Sequence, residues 1–387
     1  MTSSRVLLLV LAFANFVVGM GAFVAIGILS PVATAFAISK AQAGWVLTAY
    51  AMVYAVSSPL LVAGSGRLDR APVLVAGLGL FTLGAACAAA APSFALLLAA
   101  RALMALGGAL VTPVAASVGI AASPPERRGQ ALATVFGGLT LAQVLGVPAG
   151  AWLGYAYGWQ VAFGAVAALA LLSVVVLWRL VPRGLAVPPA SLATLRQVLA
   201  TPRLMLAVAF TAFFIGGLYT LYTFLAPLAE SRQGLERDGV TTLLLVFGVG
   251  AVVGNSLGGW LTDRVGTERA LAVLCVIQVV VMPLLSLWAA PLLVFGAGVA
   301  LWSVFAWSFN VPQQARLAQL DPPRTPVLFA LNAAAIYVGS SVGSSVGGAV
   351  LTRAGFDALG LAGSGLMALA LLSLWWVRRK APQPVAA

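Results

Sequence analysis

The sequence contains no histidine, and only two of its 387 residues are cysteine. Charged residues make up 8% of the chain, against about 25% in a soluble domain. Each scarcity removes a class of function. Without histidine there is no imidazole for acid–base work or for binding a metal. Cys87 and Cys275 both sit inside apolar runs, where a thiol behaves as a small packing residue. A disulfide framework, a zinc cluster and a haem site are therefore not expected, and no cofactor is. With so few charges the chain could not cover a water-facing surface. That excludes a soluble enzyme, a secreted disulfide module and a disordered regulator.

What is present is apolar: 62% of the residues are hydrophobic. A helix needs about 20 such residues to cross the hydrocarbon of a bilayer. Twelve runs qualify, at about 6–30, 44–63, 73–91, 94–121, 131–154, 159–180, 204–229, 240–261, 270–288, 292–317, 326–352 and 358–377. Pro, Gly and charge mark the breaks, as at Arg67 to Pro72 and Asp263 to Arg269. The first run is too long for the core of a signal peptide. The expectation is an all-α membrane protein with twelve transmembrane helices.

The net charge of +12 lies in short gaps between these runs, so it reads as membrane topology and not as nucleic-acid binding. With the N-terminus inside, the inner segments hold sixteen Lys and Arg residues, Arg316 among them, and the outer loops hold four. This bias predicts cytoplasmic termini. The remaining cation, Arg101, falls within a span. The longest polar gap is 181–203, which carries four prolines. It reads as a cytoplasmic linker between six-helix halves at 1–180 and 204–387, with a short amphipathic surface helix over 191–199.

The halves repeat. Gly-Ser-Gly66-Arg-Leu-Asp69-Arg70 follows the second run, and Gly-Gly259-Trp-Leu-Thr-Asp263-Arg264 follows the eighth, 194 residues later by the aspartates. Pro124-Pro125 and Pro322-Pro323 precede the fifth and eleventh runs, and Gly150 and Gly348 follow within them, both at an offset of 198. Such duplication is common in transporters. The stretch Gly259 to Gly266 fits G-x-L-x-D-R-x-G, in which glycine permits a tight loop and the aspartate can pair with arginine or a helix N-terminus.

With these residues in view, the chain resembles the major facilitator superfamily. The signature loop of that family matches at 64–70 and more fully at 259–266. Its fourth-helix motif matches Arg101 with Gly107-Gly108. Its fifth-helix antiporter motif is approximated by Gly138 and by Gly146-Val-Pro148-Ala-Gly150. The run Pro125-Glu-Arg-Arg-Gly-Gln-Ala131 to Gly158-Trp159, together with Pro312-Gln-Gln and Leu331-Asn332, looks like the drug:proton antiporter-1 subfamily. The resemblance implies two pseudo-symmetric six-helix bundles, a small-molecule substrate between them, alternating access, protons as a possible coupling ion, and a monomer. It departs where relatives carry a first-helix acid, because the matching position here is Ala22. None of the nine acids lies deep in a run, and Glu230 and Asp357 are the outer-side acids nearest to helix ends.

Candidate cavity residues follow from polarity within the runs. Asn15, Gln143, Asn310 and Asn332 carry amides that lipid disfavours. Tyr50 and Tyr54 share a helical face, as do Tyr219 and Tyr222, and Tyr337 lies in the eleventh run. Arg101 must meet carbonyls, amides, water or an anionic substrate, because a buried arginine costs about 2.5 kcal/mol or more unless it is paired. Each of these residues also admits a purely structural role in helix packing.

The expected function is therefore a secondary transporter exporting a small organic molecule such as a drug, sugar or metabolite. An uncoupled facilitator or an organic-anion exchanger is the alternative that Ala22 and Arg101 raise. An enzyme lacks the necessary side chains, and a sensor would need a soluble domain that no gap here can hold. The excess of arginine over lysine and the abundant Ala and Gly suggest a bacterial inner membrane.

Overall fold

Hydrocarbon offers no partner for backbone N–H and C=O groups, so a chain this apolar must satisfy them within helices. The computed structural model describes residues 2–66, 68–124, 127–185 and 192–379 and, among these, contains helices and turns but no strand. Arg67, Pro125, Glu126, Pro188, Pro189, Ser191 and Lys380 lie outside the described residues.

Twelve helical segments are long and apolar enough to span a membrane: Arg5–Gly27, Lys40–Val62, Arg70–Ala89, Phe94–Ala121, Gln130–Tyr157, Trp159–Leu180, Pro202–Gln233, Arg237–Val265, Thr267–Leu287, Leu292–Leu320, Val327–Ala354 and Ala358–Val377. They correspond one for one with the apolar runs. The short linker helix is also present, at Leu192–Leu199.

Proline explains where the helices break. Its ring clashes with the carbonyl four residues earlier and it donates no N–H. Helix Thr2–Gly27 stops at Gly27, four residues before Pro31, and the next begins at Leu29. The seventh span breaks at Thr223, four before Pro227, between helices Pro202–Tyr222 and Leu225–Gln233. The tenth breaks at Ser308, four before Pro312, between Leu292–Trp307 and Asn310–Leu320. In the fifth span the response is milder. Pro148 is preceded by a π-helical turn at Ala142–Gly146, centred on Val144, a feature often found at functional positions. Pro31 and Pro227 stand 196 residues apart, so the first and seventh spans share one kind of break.

The chain forms two compact units, Met1–Ala190 with Tyr222–Val249, and Ser191–Leu221 with Gly250–Ala387. Small residues allow the close approaches inside each. In the first unit, a Cβ added at Gly107 would strike the backbone of Gly77 and Phe81, which brings the third and fourth spans together. In the second, Gly339 and Gly343 lie against the backbone of Ala212 and Gly216, and pair the eleventh span with the seventh. That seam uses the four-residue spacing of small side chains that membrane helices favour.

Candidate functional site

The first unit contains a fully buried cation, Arg101. Its Nε donates to the Val46 carbonyl at 2.9 Å and its Nη2 to the Ala22 carbonyl at 2.8 Å. Its Nη1 donates to the carbonyl of Gly21. The guanidinium stacks 4.6 Å from the Tyr50 ring centre, and Tyr50 stacks in turn on Tyr54. Arg101, Tyr50 and Tyr54 are thus brought together. The position at which relatives carry an acid meets this cluster through the backbone oxygen of Ala22.

A second cluster forms where the fifth span winds into its π turn. Gln143 lies on that turn, and the Tyr222 hydroxyl approaches its Oε1 at 3.4 Å. The Tyr222 ring stacks on Phe247 with centroids 4.0 Å apart. Asn15 Nδ2 donates to the Val135 carbonyl at 3.0 Å. The antiporter-like glycines line the seam with the first span: side chains at Gly138, Gly146 and Gly150 would collide with Ala12, Met20 and Val24 respectively.

The third cluster surrounds a carboxylate. Glu230 Oε2 accepts from Ser30 Oγ at 2.5 Å and from Lys40 Nζ at 2.8 Å, and its Oε1 accepts from the Tyr155 hydroxyl. Three separate helical segments therefore converge on one acid, whose side chain is 17% exposed. The capping box of Ser39 and Gln42 fixes the turn that presents Lys40. A cavity of about 320 Å³, lined by Tyr155, Glu236, Arg237, Asp238 and Gly239, adjoins it. Sequence reasoning singled out Glu230 by its place near a helix end but not its partners. Ser30 and Tyr155 are ordinary residues of their runs and become informative only when folded.

In the second unit, Thr211 Oγ1 donates to Asn332 Oδ1 at 2.5 Å and accepts from Gln313 Nε2 at 3.0 Å. Asn310 Nδ2 reaches Asn255 Oδ1 at 3.5 Å. Tyr219 is fully buried and Tyr337 nearly so. Arg316, counted in sequence with the inner-segment cations, is instead buried within helix Asn310–Leu320.

The two signature loops differ. Asp69 caps helix Arg70–Ala89 through the N–H of Ala71 and accepts the N–H of Gly184 at 3.0 Å. The Gly184 amide is the main reason its carboxyl is held below the usual carboxylate range. Arg70 folds back onto the carbonyls of Ser65 and Gly66. Asp263 and Arg264 are exposed, and Arg264 lies over the Trp260 ring. Gly266 has φ of 81°, a left-handed conformation that explains the closing glycine of the motif.

A family model described as Major Facilitator Superfamily matches residues 11–326. The chain is 31% identical to the inner membrane transport protein YdhP of Escherichia coli strain K12, over 98% of this chain and 97% of that one. It is 29% identical to a probable sugar efflux transporter of Helicobacter pylori, over 95% and 93%. Among solved structures, a bacterial homologue of the human lysosomal transporter Spinster, inward-facing and occupied, aligns with a TM-score of 0.75 at 19% identity, covering 98% of each chain. Twelve spans and pseudo-symmetric helical bundles agree with these likenesses, which point to a transporter family. The chain belongs to the Major Facilitator Superfamily and is a secondary transporter of small molecules.

Proposed function

We propose that this protein exports a small organic molecule across a bacterial inner membrane in exchange for protons, and that Glu230 is the group that carries the proton. The observation behind this reading is the Glu230 cluster. The carboxylate is mostly shielded, and its oxygens are held by a cation, a phenol and a serine hydroxyl. An acid at the end of a span, shielded and held in this way, is placed where a proton path would open. Protonation would end the ion pair with Lys40 and take one acceptor from the cluster, so the local structure responds to the proton. Asp357 is the weaker candidate, because it is exposed.

Gln143 and Tyr222, with Asn15, Tyr50, Tyr54 and Arg101 in the first unit and Tyr219, Asn310, Asn332 and Tyr337 in the second, are the proposed cavity residues. The likeness to an efflux transporter supports export, and the likeness to an inner-membrane protein supports the location. The arginine bias supports cytoplasmic termini, the polar gap at 181–203 supports six-helix halves at 1–180 and 204–387, and the duplicated motifs support gating loops at Gly66 to Arg70 and Gly259 to Gly266. Membership of the drug:proton antiporter-1 subfamily rests on the run from Pro125 to Trp159, and a monomer is the family expectation. Ala22 in place of the acid favours a second reading as an uncoupled facilitator or anion exchanger.

The test is proton flux in liposomes that enclose a pH-sensitive dye, with drugs, sugars, nucleosides and organic anions added in turn. The proposal expects a substrate-triggered proton signal that Glu230→Gln abolishes while labelled-substrate exchange continues. Substrate movement with no proton signal in the wild type would replace it with the facilitator reading.

A further inference from the structure

The partners of Glu230 divide between its two oxygens. Oε2 accepts from Ser30 Oγ and Lys40 Nζ, whereas Oε1 accepts from the Tyr155 hydroxyl. The neighbouring cavity of about 320 Å³ is lined by Tyr155, Glu236, Arg237, Asp238 and Gly239. Among the described residues, Tyr155 is the one side chain that both bonds the carboxylate and lines the cavity. All of these residues belong to the first unit.

Water reaches the cavity, because Glu236 and Asp238 in its wall are exposed. Arg237 pairs with Asp238 and lies over the Trp152 ring. The start of helix Arg237–Val265 is thereby fastened to the span that carries Tyr155. The Glu230 side chain is largely shielded, and Tyr155 is half-buried between it and the cavity. Ser30 also hydrogen-bonds the phenol, which holds the hydroxyl beside the carboxylate. A phenol donates and accepts at the same oxygen. While it donates to Glu230, it can therefore accept from a water in the cavity.

We propose that Tyr155 is the proton relay between this cavity and Glu230. A hydronium ion in the cavity gives a proton to the phenolic oxygen, and the phenol's own proton passes to Glu230 Oε1. One O–H bond breaks on the hydronium and one on the phenol. One forms on the phenol and one on the carboxylate. Tyr155 ends unchanged, the hydronium becomes water, and the carboxylate becomes neutral. The relay rests on the reading of Glu230 as the proton carrier and adds the route by which the proton arrives. That route starts at the loop between the seventh and eighth spans, on the membrane face opposite both termini.

The test uses the full chain in phosphatidylcholine nanodiscs and needs no transported substrate. A caged proton is photolysed, and the rise of the protonated-carboxyl C=O stretch is followed by time-resolved infrared absorption. The part of that band missing in Glu230→Gln belongs to Glu230. Tyr155→Phe keeps the ring and loses only the hydroxyl, and is expected to slow the Glu230 rise by at least about tenfold. Tyr155→Gln keeps a donor beside the carboxylate but has no hydroxyl to pass a proton, and should be as slow. It carries the test alone if the Phe variant does not fold. A Phe or Gln variant as fast as the wild type would overturn the relay and leave Tyr155 as a structural partner. A wild-type band that Glu230→Gln does not change would instead overturn the reading of Glu230 as the proton carrier, and the relay with it.

Discussion

Arg101 and Arg316 are the two most deeply buried arginines among the described residues, one in each unit, and they are treated in opposite ways. Arg101 spends its donors on three backbone carbonyls and lies over an aromatic ring. Arg316 keeps two buried nitrogens without hydrogen-bond partners, and the Glu268 carboxylate acts on it electrostatically. A buried cation is costly unless it is satisfied. The first has been satisfied by the chain itself, which makes it a structural cross-link among the first, second and fourth spans. The second is short of hydrogen bonds and is balanced by charge instead, through Glu268.

Removing each arginine is the most severe test of that contrast. Arg101→Ala would remove three charge-assisted hydrogen bonds, to the Gly21, Ala22 and Val46 carbonyls, and leave a void, at a cost of roughly 3–5 kcal/mol. The expected outcome is little folded protein by size-exclusion chromatography. Arg316→Ala should remain monodisperse, because few bonds are lost. Equal collapse of the two would erase the distinction. Arg101→Lys is expected to lie between them. It keeps the charge but cannot reach three carbonyls at once, and a Tm loss corresponding to about 2 kcal/mol would sharpen the assignment.

The same contrast recurs with acids, at smaller amplitude. Glu230 is partnered and largely shielded, so Glu230→Gln should cost about 1 kcal/mol of stability, read as a lower Tm at neutral pH. Exposed Asp263→Asn should leave Tm unchanged. The smallest effect concerns Asp69. Its carboxyl titrates below its ordinary value because the amides of Gly184 and Ala71 favour the anion. Its contribution is therefore present above the unfolded pKa and lost as pH falls through the folded one. Asp69→Asn should flatten only the acid limb of a Tm–pH curve, below about pH 4. A change at neutral pH would show that the loop does more than cap a helix.

The span architecture was legible because lipid imposes a simple rule on composition, and twelve apolar runs became twelve helices. The duplicated loops were legible from glycine and aspartate. The breaks at Gly27, Thr223 and Ser308 were written in Pro31, Pro227 and Pro312, but proline at this spacing does not always break a helix. Pro59, Pro113 and Pro283 lie inside continuous helices. Clusters were the least legible. Tyr155 and Glu230 are 75 residues apart in sequence and Ser30 and Glu230 are 200 apart, and nothing local to any of them names the others. Arg316 carried a charge signal, but its burial depends on helices distant in sequence.

The π turn at Ala142–Gly146 has a consequence for the spelling of the fifth span. Such a turn accommodates one residue more than α-helical winding would. Deleting one residue inside the turn would let the helix wind evenly while later side chains kept their faces, whereas deleting one at 147–149, where no extra residue is stored, would swing every later side chain by about 100° around the axis. Tyr155 would then turn away from Glu230, and Gly150 would leave the Val24 contact it keeps clear. The length of this segment is thus under the same constraint as its composition. A single-codon deletion just after the turn should be more damaging than most substitutions, and one within the turn should be better tolerated, although both fall within a helix that reads as featureless hydrophobic sequence.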